Sequence, residues 1–327
     1  MSTPVQQVQQ PTPLVTGVPT LIAPAEYDRS QFVGSSDLPA ILGVSPYRSR
    51  LDCYLDKTQP ETRPNVETVP MRRGRILEPY VAELIGEEYG LKLVHRNRRF
   101  RDPVTPYFAA EIDGEYEDDA GRLQNAEIKT VSPWLAAEWG EPGSDICPVS
   151  FLVQTQWALG VTGRETCRMF ALIGFDDLRS YTFERDDALI SELRRMAREF
   201  WQVYVRLNSP PPIDADHGGV MATIKRLFPG TNGQTARASA LHENYYRAMT
   251  DAGEKASLYQ GLHDAAKAHL TLEMGENAQL VFADGKALKR AQRSRKGYVV
   301  EALEYMDVRI GKPGKEDNKP AQADAAE

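Results

Sequence analysis

Between residues 107 and 131 the chain spells two runs of alternating apolar and polar residues around Asp118-Asp119-Ala120-Gly121-Arg122. That pattern commits the segment to an antiparallel β-hairpin. With the turn centred on Ala120, residues whose numbers sum to 240 face each other, so Asp113 opposes Glu127. Opposed residues hold their Cβ atoms about 4.5 to 5.5 Å apart. The two-residue strand period then puts Lys129 on the face of Glu127. Two carboxylates about 5 Å apart repel by roughly 3 kcal/mol at an effective dielectric near 20, and a hard divalent cation between them removes that cost. Oxygen donors of this kind suit Mg²⁺ or Mn²⁺, and Lys129 is placed to hold or polarise an attacking water. The competing reading is a solvated, charged hairpin face, to which Glu111 and Glu115 also belong.

The 327 residues, 41% hydrophobic and 26% charged, leave room for one large packed domain with or without a smaller appendage. Apolar runs fall far short of the ~20 residues of a membrane span, and no basic segment leading into an apolar stretch marks a secretory signal. Cys53, Cys147 and Cys167 form neither CxxC nor an even framework, which favours a reducing, cytoplasmic setting. His263 and His269 lie six apart rather than the four of a helical zinc pair. GxSxG and P-loop patterns are absent. The net charge of −7 weighs against a nucleic-acid partner. Local clustering offsets it: Arg72, Arg73 and Arg75 form one group, Arg96, Arg98, Arg99 and Arg101 a second, and Lys286, Lys289, Arg290, Arg293, Arg295 and Lys296 a third. Each alone is more commonly a solvated face; together they suggest a positive groove.

Residues 1–24, rich in Gln, Pro, Thr and Val, read as a flexible arm. Residues 25–212 alternate helical and strand patterns and predict an α/β (α+β) core with a central mixed sheet flanked by helices. Helices are expected over 38–42, from near Leu51, from Pro79 with the stripe Tyr80, Val81, Leu84 and Ile85, over 149–159, and after a cap at Asp186 or Asp187. Strands are expected over 167–175 and 179–184. Pro79 fits a first helical turn, where its missing N–H is harmless, and this sets Glu78 at the helix entrance. Residues 213–311 read as an extension, helical over 239–275 and then β-rich, and 312–327 as a charged, disordered tail.

Eight motifs in order, Gly34-Ser35-Ser36-Asp37, Ile41-Leu42-Gly43-Val44-Ser45-Pro46-Tyr47, Arg73-Gly74 to Glu78-Pro79, Asp113-Gly114, Glu127-Ile128-Lys129-Thr130, Glu138-Trp139-Gly140, Gln154-Thr155-Gln156 and Val161-Thr162-Gly163, closely resemble the YqaJ-like viral recombinase family. These are relatives of lambda exonuclease within the PD-(D/E)xK, restriction-endonuclease-like nuclease fold. The resemblance covers about residues 26–205. It implies a phage-type 5′–3′ exonuclease that resects linear double-stranded DNA and leaves 3′ single strands for a phage single-strand annealing protein. It also implies a closed homo-oligomeric ring and two Mg²⁺ ions per site, with Mn²⁺ as an alternative. Carried across by position, Asp113 and Glu127 are the metal-binding acids, the Ile128 carbonyl a further ligand, Lys129 the catalytic lysine and Glu78 a helix-borne acid near the metals.

Gln154 lies in helical register with Phe151 and Ala158. A buried amide there must find partners: it satisfies a core backbone group or, as the family implies, reaches the lysine and the water, and the second is expected. Arg29 and Ser36 are seven apart, the spacing of the pair that holds a 5′-terminal phosphate in lambda exonuclease, although Ser36 alone reads as a helix N-cap. Arg73 and Arg75 are expected to contact DNA. Residues 213–327 inherit little. Two rivals stand: an endonuclease of the same fold, and a DNA-end-binding or recombinase-docking module without turnover.

Overall fold

The computed structural model describes residues 17–62, 67–213 and 219–291. The first sixteen residues of the expected arm, the 312–327 tail, the later part of the β-rich piece and Arg293, Arg295 and Lys296 of the third basic group lie outside the described residues.

Six strands form one sheet in chain order: β1 (Thr20–Leu21), β2 (His95–Arg101), β3 (Ala109–Glu117), β4 (Leu123–Val131), β5 (Thr166–Ile173) and β6 (Asp177–Glu184). The β4–β5 pair is parallel and every other pair antiparallel, so the sheet is mixed, as expected. Parallel neighbours need a crossover, and α4 (Val149–Thr162) supplies it. On the opposite face lies α3 (Val69–Tyr89), whose Val81 and Ile85 pack on Ile128, Phe170 and Leu172. Odd-numbered β4 residues therefore face α4, beside Met169 and Ala171, while Ile128 faces α3. The short α1 (Leu38–Ile41), α2 (Arg50–Thr58) and α5 (Asp187–Glu199) complete the main core around Phe108, Trp157 and Phe200.

Three expectations need correction. The arm does not run free to residue 24: Thr20 and Leu21 pair with Arg101 and Phe100. The helix predicted from Pro79 begins ten residues earlier, capped by the Thr68 hydroxyl, and Pro70 takes the early-turn place. Pro79 instead sits inside α3, where its ring removes one helical N–H. Finally, the core continues past Pro212 to Phe228. This is the work of α6 (Val220–Leu227), whose Val220 joins the main core and whose Thr223 Oγ1 donates to Asp52 Oδ1 at 2.6 Å.

A second unit starts at Pro229. It holds α7 (Ala240–Met274), close to the predicted helix, and a hairpin of β7 (Gln279–Val281) and β8 (Ala287–Lys289). Among the described residues no helix is long and apolar enough to cross a membrane.

Candidate active site

The β3–β4 ladder pairs Gly114 with Ala126, Glu115 with Asn125, Tyr116 with Gln124 and Glu117 with Leu123, the register read from the turn. Asp118 stabilises that turn by accepting from the backbone N–H groups of Ala120 and Arg122, while Gly121 takes the left-handed conformation at φ 73°. One step beyond Gly114 the ladder stops. β3 goes on pairing with β2 and β4 with β5, so the strands part where Asp113 and Glu127 meet. Asp113 fills the opening: its Oδ2 accepts from the Ile128 N–H at 2.7 Å, in place of a strand carbonyl.

Lys129 closes the constellation. Its Nζ lies 2.6 Å from Glu127 Oε2 and 3.7 Å from Asp113 Oδ2, with the Phe151 ring 5.8 Å away on α4. Glu127 is buried, and burial pushes its carboxyl up to about 7; Lys129 opposes the rise and Asp113 adds to it. Burial alone would pull the Lys129 ammonium down, yet Glu127 and Asp113 outweigh it and hold the group above its usual value. Two acids thus share one ammonium, an arrangement one positive charge short of balance.

That imbalance has a pH signature. The folded chain holds the Glu127 proton more tightly than the unfolded chain, so the group favours the cation-free fold at low pH. This contribution is lost as pH rises from about 4.5 to about 7. Glu127→Gln should flatten the fall in melting temperature of the cation-free protein across that window; an unchanged slope would contradict the burial of this carboxyl.

The remaining expected residues divide. Glu78 is half-buried in mid-helix, with its Oε1 2.7 Å from an Arg96 guanidinium nitrogen, and Arg96 Nε donates to the Asp113 carbonyl at 3.3 Å. It therefore reaches the site through Arg96, and the helix-entrance reading of Glu78 does not hold. Gln154 is half-buried, and its side chain makes no hydrogen bond among the described residues. The buried amide of this helix is Gln156, which donates to the Glu184 carbonyl at 2.7 Å and accepts from Asp186 N–H at 2.9 Å. Arg29 and Ser36 do meet, at 2.5 Å, on the exposed surface. Arg73 and Arg75 are exposed, Arg75 paired with Glu67 at 2.9 Å; between them a Cβ on Gly74 would lie 3.4 Å from Thr130 Oγ1, so α3 passes close over β4.

The second basic group is not a free positive surface: Arg96 pairs with Glu78, Arg98 with Glu115 and Arg99 with Glu111, while Arg101 donates to the Pro106 carbonyl. Arg96 is the residue whose role the sequence reading missed, because the partner that defines it stands on another element.

Residues 26–165 match the sequence profile of the YqaJ-like viral recombinase domain. This segment belongs to that family. Over 215 residues the chain is 29% identical to the uncharacterized protein YqaJ of Bacillus subtilis (strain 168), a match covering 65% of this chain and 66% of that protein, just under two thirds of its length. Among solved structures, the alkaline exonuclease LHK-Exo from Laribacter hongkongensis is similar at 20% identity and a TM-score of 0.44, over 61% of this chain and 96% of that one. A phage related exonuclease from Haemophilus somnus 129PT is similar at 15% identity and a TM-score of 0.36, over 54% and 95%.

Among the described residues no three His, Cys, Asp or Glu side chains are grouped as a metal cage. The donors that do converge, two carboxylates and the neighbouring backbone, are all hard oxygens carrying surplus negative charge, and they fit one Mg²⁺ or Mn²⁺. Glu78 joins that set only by releasing Arg96.

Proposed function

We propose that this protein is a divalent-metal-dependent deoxyribonuclease that resects linear double-stranded DNA from 5′ ends. The observation that carries the reading is the meeting of Asp113, Glu127 and Lys129 where β3 and β4 part. The match of residues 26–165 to a viral recombinase domain supports it. Asp113, Glu127 and the Ile128 carbonyl would hold the ion, and a second ion of the expected pair would require Glu78. A bound divalent cation supplies a more acidic water and charge balance for the phosphate.

The chain's own residues do the rest. Asp113 and Glu127 fix where negative charge is tolerated, and Lys129, already within hydrogen-bond reach of Glu127, orients the attacking water and stabilises the charge that develops. Arg29 offers a fork of donors and Ser36 a hydroxyl to a terminal 5′ phosphate. The 3′ strand left behind would pass to a phage single-strand annealing protein in the host cytoplasm. A closed homo-oligomeric ring would keep the enzyme on its duplex.

The deciding experiment compares 5′-phosphorylated linear duplex with covalently closed circular DNA, in Mg²⁺, for wild type and Asp113→Ala. Mononucleotides should appear from the linear substrate, the circle should stay intact, and Asp113→Ala should cost at least about 100-fold in rate, since a metal acid supports several kcal/mol of transition-state stabilisation. Cutting of the circle would favour an endonuclease. Absence of products would leave a DNA-end-binding or docking role, and activity indifferent to Asp113 would exclude the assigned site.

A further inference from the structure

Helix α4 covers the face of β4 that carries Asn125, Glu127 and Lys129, and two contacts fix how it lies. At one end Asn125 Nδ2 donates to Thr162 Oγ1 at 3.0 Å; at the other, Lys129 Nζ sits 5.8 Å from the centre of the Phe151 ring. At roughly 100° per residue, Phe151, Thr155, Ala158 and Thr162 form one stripe about 60° wide. The strand segment between these contacts is about 13 Å long and the helical segment about 16 Å. Helix and strand therefore run side by side in opposite directions. Glu127, midway along the strand segment, falls between Thr155 and Ala158, with Thr155 on the Lys129 side.

Thr155 is only 1% exposed, and its Oγ1 has no hydrogen-bond partner. The other threonine of the stripe shows the ordinary fate of such a group: Thr162 Oγ1 donates to the Ala158 carbonyl one turn back, at 2.8 Å. Thr155 makes no such bond. A second orphan lies on the same face, because Asn125 Oδ1 is also buried without a partner, two residues from Glu127. Buried polar atoms are left unmatched where strain, function, or a missing water or ion accounts for them. Valine would fill the space of Thr155 without that penalty, so the hydroxyl calls for an explanation.

We propose that Thr155 is a positioning residue for Glu127, its hydroxyl acting on the carboxylate oxygen that Lys129 leaves free through one water shared with Asn125. The hydroxyl then holds the carboxylate turned toward the opening between β3 and β4 in the orientation that receives a divalent cation. Hydrogen-bond partners of metal-binding carboxylates typically govern affinity by 10- to 100-fold. The inference rests on the cation site of the proposed function and extends it to α4.

The test titrates Mn²⁺ into DNA-free wild-type, Thr155→Val, Thr155→Ser and Asp113→Ala proteins by calorimetry, and records each melting temperature in chelator. Thr155→Val should bind Mn²⁺ about 10- to 100-fold more weakly while melting, cation-free, at the wild-type temperature or above it. Thr155→Ser, which keeps the hydroxyl and loses only the methyl, should restore binding. Wild-type affinity in Thr155→Val would overturn the proposal and mark the hydroxyl as an unmatched core atom. Equal weakening in both Thr155 variants would trace the effect to packing and overturn it too. If wild type itself bound no Mn²⁺, or Asp113→Ala bound it unchanged, the cation site would fall and this inference with it.

Discussion

Lys129→Met should lower the rate of DNA hydrolysis by at least about 100-fold while leaving divalent-cation binding intact or tighter. The first half follows from the role of the ammonium. A positioned group that orients or deprotonates water typically contributes 10²- to 10⁴-fold, and Lys129 has its charge held in place by Glu127 at 2.6 Å and Asp113 at 3.7 Å. Methionine keeps an apolar side chain of similar length and removes the charge, including the ammonium that sits 5.8 Å from the centre of the Phe151 ring. The second half follows because the ammonium and a metal ion compete for the same two carboxylates; with the lysine gone, their mutual repulsion is relieved only by the ion. Losing Lys129 also removes the group that opposes the upward shift of Glu127. The comparison therefore belongs on the alkaline side of pH 7, where protons compete less at that carboxyl. Initial rates on linear duplex and Mn²⁺ calorimetry give the two readouts. Asp113→Asn should lose both properties together. Wild-type turnover in Lys129→Met would remove the lysine from the mechanism.

The contrast between these variants was legible in the sequence because a hairpin is a local object. Its register depends on a turn whose residues are contiguous, and once Asp118 and Gly121 set that turn, Asp113, Glu127 and Lys129 converge by the strand period alone. What was not legible depended on partners far along the chain. β2 carries one buried residue, Phe100, and no alternating apolar pattern; it is a strand because Arg98 and Arg99 meet Glu115 and Glu111 on β3. Its own residues read as a basic cluster for the same reason. Pro79 was misleading in a different way. A proline is compatible with a first turn or, at a penalty, with a helix interior, and local sequence could not choose while Thr68 and Pro70 offered a second start. Gln154 shows how finely a helix must be phased. Stepping by three and four from Phe151 reaches Gln154 and Ala158, whereas the stripe that meets β4 steps by four and three through Thr155 to Ala158 and Thr162. A single residue of difference moves the candidate polar group from glutamine to threonine.

The largest loss of stability should come from Lys57→Met, and it should take with it the preference for 5′-phosphorylated ends expected of the proposed Arg29–Ser36 site. Asp37 is wholly buried, and its carboxylate meets Lys57 Nζ at 2.7 Å and Arg48 at 3.1 Å. Burial works against that charge, but Lys57, Arg48 and Arg29 outweigh it and hold the carboxyl well below the usual range. Removing one partner of a buried ion pair costs about 3–5 kcal/mol, which for a unit of this size lowers the melting temperature by roughly 10 °C. The sign with pH is fixed by the depressed value: stability from Asp37 is fully present above the ordinary carboxylate range and lost as pH falls below about 4. The gap between wild type and Lys57→Met should therefore narrow in acid. The functional consequence follows from the other bonds of the cluster. Lys57 Nζ also donates to the Arg29 carbonyl at 2.6 Å, and Asp37 Oδ2 accepts from the Gly34 N–H at 2.9 Å, so the ion pair anchors both segments that bring Arg29 to Ser36. Assayed well below its melting temperature, the variant should digest phosphorylated and hydroxyl ends at similar rates while still requiring Asp113. Should it keep the wild-type preference, the Arg29–Ser36 contact holds without the buried cluster, or the phosphate is read elsewhere; Arg29→Ala distinguishes these, since only the first leaves end preference sensitive to that substitution.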